Sequence, residues 1–229
     1  CRICCYLWNF SDVLFNKNNI MKVLELFAGS RSVGKAAESL GFEVFSSDLN
    51  NFENINYAVD ILNFDISKLP FKPDIIWASP PCTTYSIAAI SHHRPLNKPL
   101  SDFAKKSDLI VKKTLQIIKD LSPKFWYIEN PRGVLRKQDF MIGIPKTTVW
   151  YCTYGDTRAK PTDIWTNNLR SLLNPEGWQP RPQCFNGNKN CHHEAAPRGS
   201  RTGTQGMKGN YNRSKIPKEL CIEILKSTL

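Results

Sequence analysis

Asp74-Ile-Ile-Trp-Ala-Ser-Pro-Pro-Cys-Thr-Thr-Tyr-Ser86 decides how the rest of this chain is read. Ile75 to Ala78 is apolar without alternation, as in a strand covered on both faces. Pro80 and Pro81 cannot donate to a sheet ladder and fix their own φ, so the strand must stop there in a stiff turn. In an open α/β sheet, ligands and chemistry lie just beyond the carboxyl ends of the strands. Cys82 is therefore placed where a nucleophile is wanted.

Working outward, the flanking elements repeat the same architecture. Met21 to Ala28 reads as a first strand, Gly29 to Gly34 as a turn, and Val33, Ala36, Ala37 and Leu40 as a helix face ending at Gly41. Glu43 to Ser47 is a second strand closed by Asp48. Tyr57 to Val59 is a short third strand ending at Asp60. The order of strand, small-residue turn, helix, strand and acid is that of a nucleotide-type half-site. Glycine there lets backbone approach a ligand, and the acid accepts from two ribose hydroxyls. The turn is neither GxGxxG nor a Walker A sequence, which argues against a dinucleotide or a nucleoside triphosphate.

Downstream, Thr83 to Leu100 reads as a long functional loop carrying His92 and His93. Ser101 caps a helix over Asp102 to Leu121, with Phe103, Ile110, Val111, Leu115, Ile118 and Leu121 on its apolar face. Phe125 to Ile128 is a fifth strand, ending in the charged turn Glu129 to Gly133. Thr147 to Tyr154 and Thr162 to Thr166 form a strand pair around Gly155. Pro217 opens a last helix with Leu220, Cys221, Ile224 and Leu225 on one face. The expected fold is a single α/β domain: a mostly parallel sheet, helices on both faces, and an antiparallel pair at one edge. Residues 1–20 are expected to be a loose or non-native extension before a start at Met21, and 167–210 a small, irregular recognition segment.

The 229 residues carry a formal net charge of +11. Eleven Lys or Arg against three acids fall between Thr157 and Lys218. Such a concentration points to a polyanionic partner. No apolar run approaches the ~20 residues of a membrane span, so no membrane partner is expected. The eight cysteines form no compact framework, which suits a reducing compartment. Pro197 to Gln205 is polar, Gly-rich and basic. It can lay Arg198, Arg201 and Gln205 along phosphates or base edges. Cys184-x6-Cys191-His192-His193 offers thiolate and imidazole donors. A zinc set of Cys184, Cys191 and His192 would need Cys152 as its fourth member, and the spacing matches no familiar finger. Free thiols beside a loop histidine pair, with no metal, are the expectation.

Cys82 and Glu129, at neighbouring strand ends, suit one reaction. A thiolate adds to C6 of cytosine while the acid donates to N3, and C5 then becomes nucleophilic enough to take a methyl group. A base within a duplex must be flipped out to be reached. At this point the sequence from Met21 onward resembles the DNA (cytosine-5) methyltransferases. Leu24-Glu-Leu-Phe-Ala-Gly29, Ser79-Pro-Pro-Cys82 with Thr-Thr-Tyr-Ser86, Glu129-Asn-Pro131, Tyr154 to Lys160, and Arg213 to Pro217 follow the family's motifs in order.

The resemblance implies a Rossmann-like class I S-adenosylmethionine-dependent fold and the product S-adenosylhomocysteine. It implies Cys82, Glu129, Arg158 and Lys160 as catalytic residues. Phe27, Ala28, Gly29, Ser30, Asp48, Leu49, Asp60, Ile61, Pro80 and Ser214 would hold the donor, and Ser86 would contact double-stranded DNA. A compact phage-like monomer in the cytoplasm of a bacterium or an infected cell is expected. Several positions depart from the family pattern. Ser30-Arg31-Ser32 replaces a glycine pair, Arg158 and Lys160 stand for Gln and Arg, Thr162 for a second Arg, and Ser214 for Asn. The same chemistry on RNA, or a silent DNA-binding protein of this fold, are the alternative readings.

Overall fold

A computed structural model describes residues 20–194 and 209–229. In chain order the regular elements are β1 (Lys22–Leu26), α1 (Ser32–Ser39), β2 (Glu43–Asp48), β3 (Tyr57–Ala58), β4 (Ile75–Ala78) and α2 (Ile90–His93). They continue with α3 (Asp102–Leu121), β5 (Phe125–Pro131), β6 (Lys146–Trp150), β7 (Pro161–Thr166), α4 (Asn210–Ser214) and α5 (Lys218–Lys226). The strands form one sheet in the order β3-β2-β1-β4-β5-β7-β6. The first five run parallel; β7 is antiparallel to both β5 and β6.

The central strands are apolar throughout because both sheet faces are covered. Val23, Ile75, Trp77, Tyr127 and Ile164 pack on one face with α1 and α5. Their neighbours Leu24, Ile76, Ala78, Ile128 and Trp165 pack on the other with Val111, Ile117 and Ile118 of α3. The strand period of two therefore divides a single run between two cores.

Several features differ from expectation. β5 does not end at Ile128 but continues through Pro131, because β7 pairs Glu129, Asn130 and Pro131 with Ile164, Asp163 and Thr162. Glu129 thus projects from a strand, not from a turn. β6 stops at Trp150, and Tyr151 to Tyr154 form a tight helical turn before the left-handed Gly155. The segment 83–100 is built of short helical turns rather than open loop. The buried side of α3 is Ala104, Ser107, Asp108, Val111, Thr114, Ile117 and Ile118, whereas Phe103 is 49% exposed. Asp108 turns that face inward to meet Arg94.

The start of the expected recognition segment belongs to the core. Trp178 is buried against α5 and donates to Glu223 at 3.2 Å. Arg181 pairs with Glu219 and Glu223, so it is not part of a free basic face. Arg198, Arg201 and Gln205 lie outside the described residues, as do residues 1–19. No helix among the described residues is long and apolar enough to cross a membrane.

Candidate active site

β4 and β5 are adjacent and parallel, with Ala78 opposite Ile128. The turn after β4 and the outer end of β5 therefore meet at one edge of the sheet. Asn130 fastens them together: its Nδ2 donates to the carbonyl of Pro80 at 2.9 Å. Pro80 is buried and Cys82 half-buried. Glu129 is buried, and its Oε1 accepts a 2.9 Å hydrogen bond from the Tyr151 hydroxyl. Burial raises the Cys82 thiol above its usual range, and the nearby Glu129 carboxylate adds to this; Lys160 and Arg213 pull the other way. Burial holds the Lys160 ammonium below its usual range, and Glu129 only partly offsets this. Sulfur, carboxylate and ammonium thus lie in one field. Tyr151 is pushed well above its ordinary value by burial and by Glu129, so it remains a proton donor to that carboxylate.

The turn bearing Cys82 is held by groups with no motif of their own. Arg94 is fully buried. It donates to the Thr84 carbonyl at 3.1 Å, pairs with Asp108 at 2.6 Å, and stacks on Tyr85 with 4.1 Å to the ring centroid. The Tyr85 hydroxyl donates to Asp108 at 2.8 Å, and Gln138 accepts from Arg94 at 3.1 Å. From the other side, Gly133 lies so close that a Cβ there would fall 2.3 Å from the Tyr85 carbonyl oxygen. Its φ of −160° is ordinary extended backbone, so glycine is needed for space. Ser86 caps the next turn, its Oγ accepting from the Ala88 N–H at 3.3 Å.

Beside this lies the turn after β1. Phe27, Gly29 and Arg31 all have left-handed φ, at 59°, 46° and 52°. Two of these are not glycine, and such strain collects at functional sites. Ala28 is anchored by its N–H to the Ser47 carbonyl at 3.0 Å, and the Ser30 and Ser32 hydroxyls pair at 2.9 Å. Asp48 accepts from the Gly29 N–H and the Asn50 N–H, each at 2.9 Å, one on each carboxylate oxygen. Each oxygen keeps a lone pair for a further donor. Leu49 is exposed, Ile61 is buried, and Asp60 is held below its ordinary value by the Leu62 N–H. Asp60 also receives Lys106 at 3.3 Å.

Gly34 serves a different purpose from the ligand approach read for the glycine turn. A Cβ there would sit 2.6 Å from Oε2 of Glu25. Glu25 is buried under the start of α1, accepts from the Val33 N–H at 3.1 Å, and is raised to about 7, chiefly by burial.

The last segment returns to this turn. The Ile216 N–H donates to Ser32 Oγ at 3.1 Å. A Cβ on Gly29 would come within 3.9 Å of Asp48 Oδ2 and 4.0 Å of Ser214 Oγ, which leaves a cradle over the glycine. Arg158 and Lys160 hold the returning chain. Lys160 Nζ donates to the Arg213 carbonyl at 3.0 Å. Arg158, buried and paired with Asp156, donates to the carbonyls of Arg213 at 3.2 Å and Lys215 at 3.1 Å. Arg158 is thus a clamp on the wall, and Lys160 the cation nearer the sulfur.

Sequence reasoning singled out Cys82, Glu129 and the small-residue turn after β1, which the fold brings to one edge of the sheet, and passed over Tyr151, Arg94, Asp108 and the close packing at Gly133. None has a local signal: an isolated tyrosine or arginine gains its meaning from partners distant in the chain. Among the possible metal donors, Cys152 does join Cys184 and Cys191. The histidine beside them is His193; His192 instead contacts the Asp156 carbonyl at 3.1 Å.

A parallel sheet with an antiparallel edge pair, a small-residue turn after β1 and an acid at the end of β2 define a class I methyltransferase fold. The solved structure of the Entamoeba histolytica methyltransferase EhMeth shares it at 16% identity and a TM-score of 0.51, over 72% of this chain and 58% of that one. The family model for C-5 cytosine-specific DNA methylases matches residues 21–142. A probable DNA (cytosine-5)-methyltransferase of Frog virus 3 is 30% identical over 224 residues, covering 90% of this chain and 99% of that protein. The type II methyltransferase M.FnuDI of Fusobacterium nucleatum is 30% identical over 129 residues, 52% of this chain and 35% of that one. The chain belongs to the C-5 cytosine-specific DNA methylase family and is a methyltransferase.

Proposed function

We propose that this enzyme methylates C5 of a flipped-out cytosine in double-stranded DNA, with S-adenosylmethionine as donor and Cys82 as transient covalent nucleophile. The observation that carries the reading is the Asn130–Pro80 bond, which locks the cysteine turn onto the strand bearing Glu129. The cradle over Gly29, flanked by Asp48 and Ser214, fits a nucleoside-bearing donor whose ribose hydroxyls meet the Asp48 carboxylate. When bound, that donor supplies an electrophilic methyl group on a sulfonium.

The protein's own part follows from its side chains. Cys82 loses its proton, favoured by Lys160 and Arg213, and its sulfur bonds to C6. Glu129 has one oxygen engaged by Tyr151 and offers the other to N3 and the exocyclic amino group. As the S–C6 bond forms, Glu129, protonated on that free oxygen, gives its proton to N3, and the C5–C6 electron pair makes C5 the nucleophilic carbon of an enamine, which takes the methyl group and leaves the donor as its thioether. A water or hydroxide from solvent then takes the C5 proton, the C5–H electrons form the C5–C6 double bond and expel the Cys82 thiolate, and the N3 proton returns to Glu129. The net charge of +11 favours a polyanion beside the pocket.

The test is incubation with tritiated donor and duplex DNA, tRNA or neither. Label in DNA cytosine is expected, and it should vanish with Cys82→Ala. Duplex containing 5-fluorocytosine should trap the wild-type chain covalently and leave the Cys82→Ala chain free. Label in tRNA alone, or in nothing, contradicts the reading.

A further inference from the structure

We propose that Cys152, Cys184, Cys191 and His193 bind one structural zinc ion, which clips residues 184–194 onto the wall of the active site. The four donor atoms lie within 4.8 Å of one another, and Cys184 Sγ is 3.7 Å from His193 Nδ1. Tetrahedral zinc, with bonds of about 2.3 Å to sulfur and about 2.0 Å to nitrogen, needs donor separations of roughly 3.5–3.8 Å. The set is already near that size before any ion draws it together. Three thiolates and an imidazole are soft donors that suit zinc and repel the hard, oxygen-seeking cations.

The surroundings are those of a metal knuckle. Gly187, at φ 79°, turns the chain back, and the Asn188 carbonyl accepts from the Cys191 N–H at 3.2 Å. This brings Cys191 to Cys184. The Asn188 amide donates to Cys184 Sγ at 3.4 Å, the kind of outer contact that orients a metal thiolate. Trp150, Cys152 and Cys184 form a small buried cluster of their own, apart from the two main cores, with Ala159 and Cys191 packed against it. Oxidation explains this arrangement less well, because a disulfide would use two of the three thiols and strand the third beside an imidazole.

The site connects to the catalytic wall through short steps. Cys152 follows Tyr151, the donor to Glu129. His192 and Glu194 contact the backbone of Asp156 and Thr157, next to the Arg158 clamp. An ion on these ligands would fix the turn that carries Arg158 and Lys160 without touching substrate. The four residues are therefore positioning residues, and their assignment does not depend on the reaction proposed above.

Full-length protein, expressed in zinc-supplemented medium and exhaustively dialysed, should contain one zinc per chain by elemental analysis. Cys184→Ser and His193→Ala should lose it, whereas His192→Ala should retain it. Where a variant fails to fold, cobalt-exchanged wild-type protein should show the charge-transfer and d–d absorption of a tetrahedral thiolate site. Zinc should also protect Cys191 from alkylation, and chelator should expose it. Absence of stoichiometric zinc in reduced wild-type protein, retention by His193→Ala, loss in His192→Ala, or an iron–sulfur chromophore would each overturn the assignment.

Discussion

Replacing Gly133 by alanine tests whether the cysteine turn and the glutamate strand are packed as one unit. The added Cβ would stand 2.3 Å from the Tyr85 carbonyl oxygen and 3.2 Å from its carbon. Relieving that overlap requires a displacement of about 1 Å. Backbone must move, because Tyr85 is held by Arg94 and Asp108 while Asn130 ties the opposing strand to Pro80. Overpacking of this kind costs about 1–3 kcal/mol, and a clash between backbones belongs at the upper end. In a chain of this size that lowers the melting temperature by about 6–12 °C. Misplacing a nucleophile by about 1 Å costs about 10²-fold in turnover. Initial rates with tritiated donor should show the loss in kcat, while calorimetric donor affinity stays near wild type, because the Gly29 turn lies on other strands. Gly143→Ala is the control: nothing lies within 4 Å of its Cβ position, so it suffers only the strain of a φ of 84°. A Gly133→Ala enzyme with wild-type melting temperature and turnover would refute the reasoning.

Tyr151→Phe removes the hydrogen bond to Glu129 and should lower kcat about 10- to 100-fold, the value of a bond to a charged group, with donor binding unchanged by titration. Because Cys82 is raised by burial and by Glu129, its thiolate fraction grows with pH, so kcat/KM should climb through the alkaline range. Lys160→Met removes a cation that pulls the thiol down, so the inflection should move to higher pH; a shift downward in the rate profile contradicts the field described here. Arg94→Met leaves the buried Asp108 without its counter-charge, with only the Tyr85 hydroxyl still donating to it, and should destabilise the fold by about 3–5 kcal/mol, read by thermal unfolding.

Apolar runs, prolines and caps made most of the elements legible by themselves. Ile75 to Ala78 could only be a covered strand, Pro80-Pro81 could only end it, and Ser101 caps α3 as read, its Oγ accepting from the Ala104 N–H at 3.1 Å. Those are local rules of period, φ and hydrogen bonding, written within a few residues. Cys82 and Asp48 were singled out because each lies at or just past the end of a strand, and Glu129 because it follows the apolar run Phe125 to Ile128.

Only the tertiary structure decided what the remaining residues do. It extended β5 through Glu129 because an antiparallel neighbour was there to pair with it, and it turned Asp108 inward because Arg94 needed a counter-charge. It assigned Gly133 to a close approach with Tyr85, 48 residues earlier in the chain. It also chose His193 over His192, a choice between neighbours on which spacing is silent. Each of these depends on partners brought together by folding, and a one-dimensional pattern holds no record of which distant side chain will arrive.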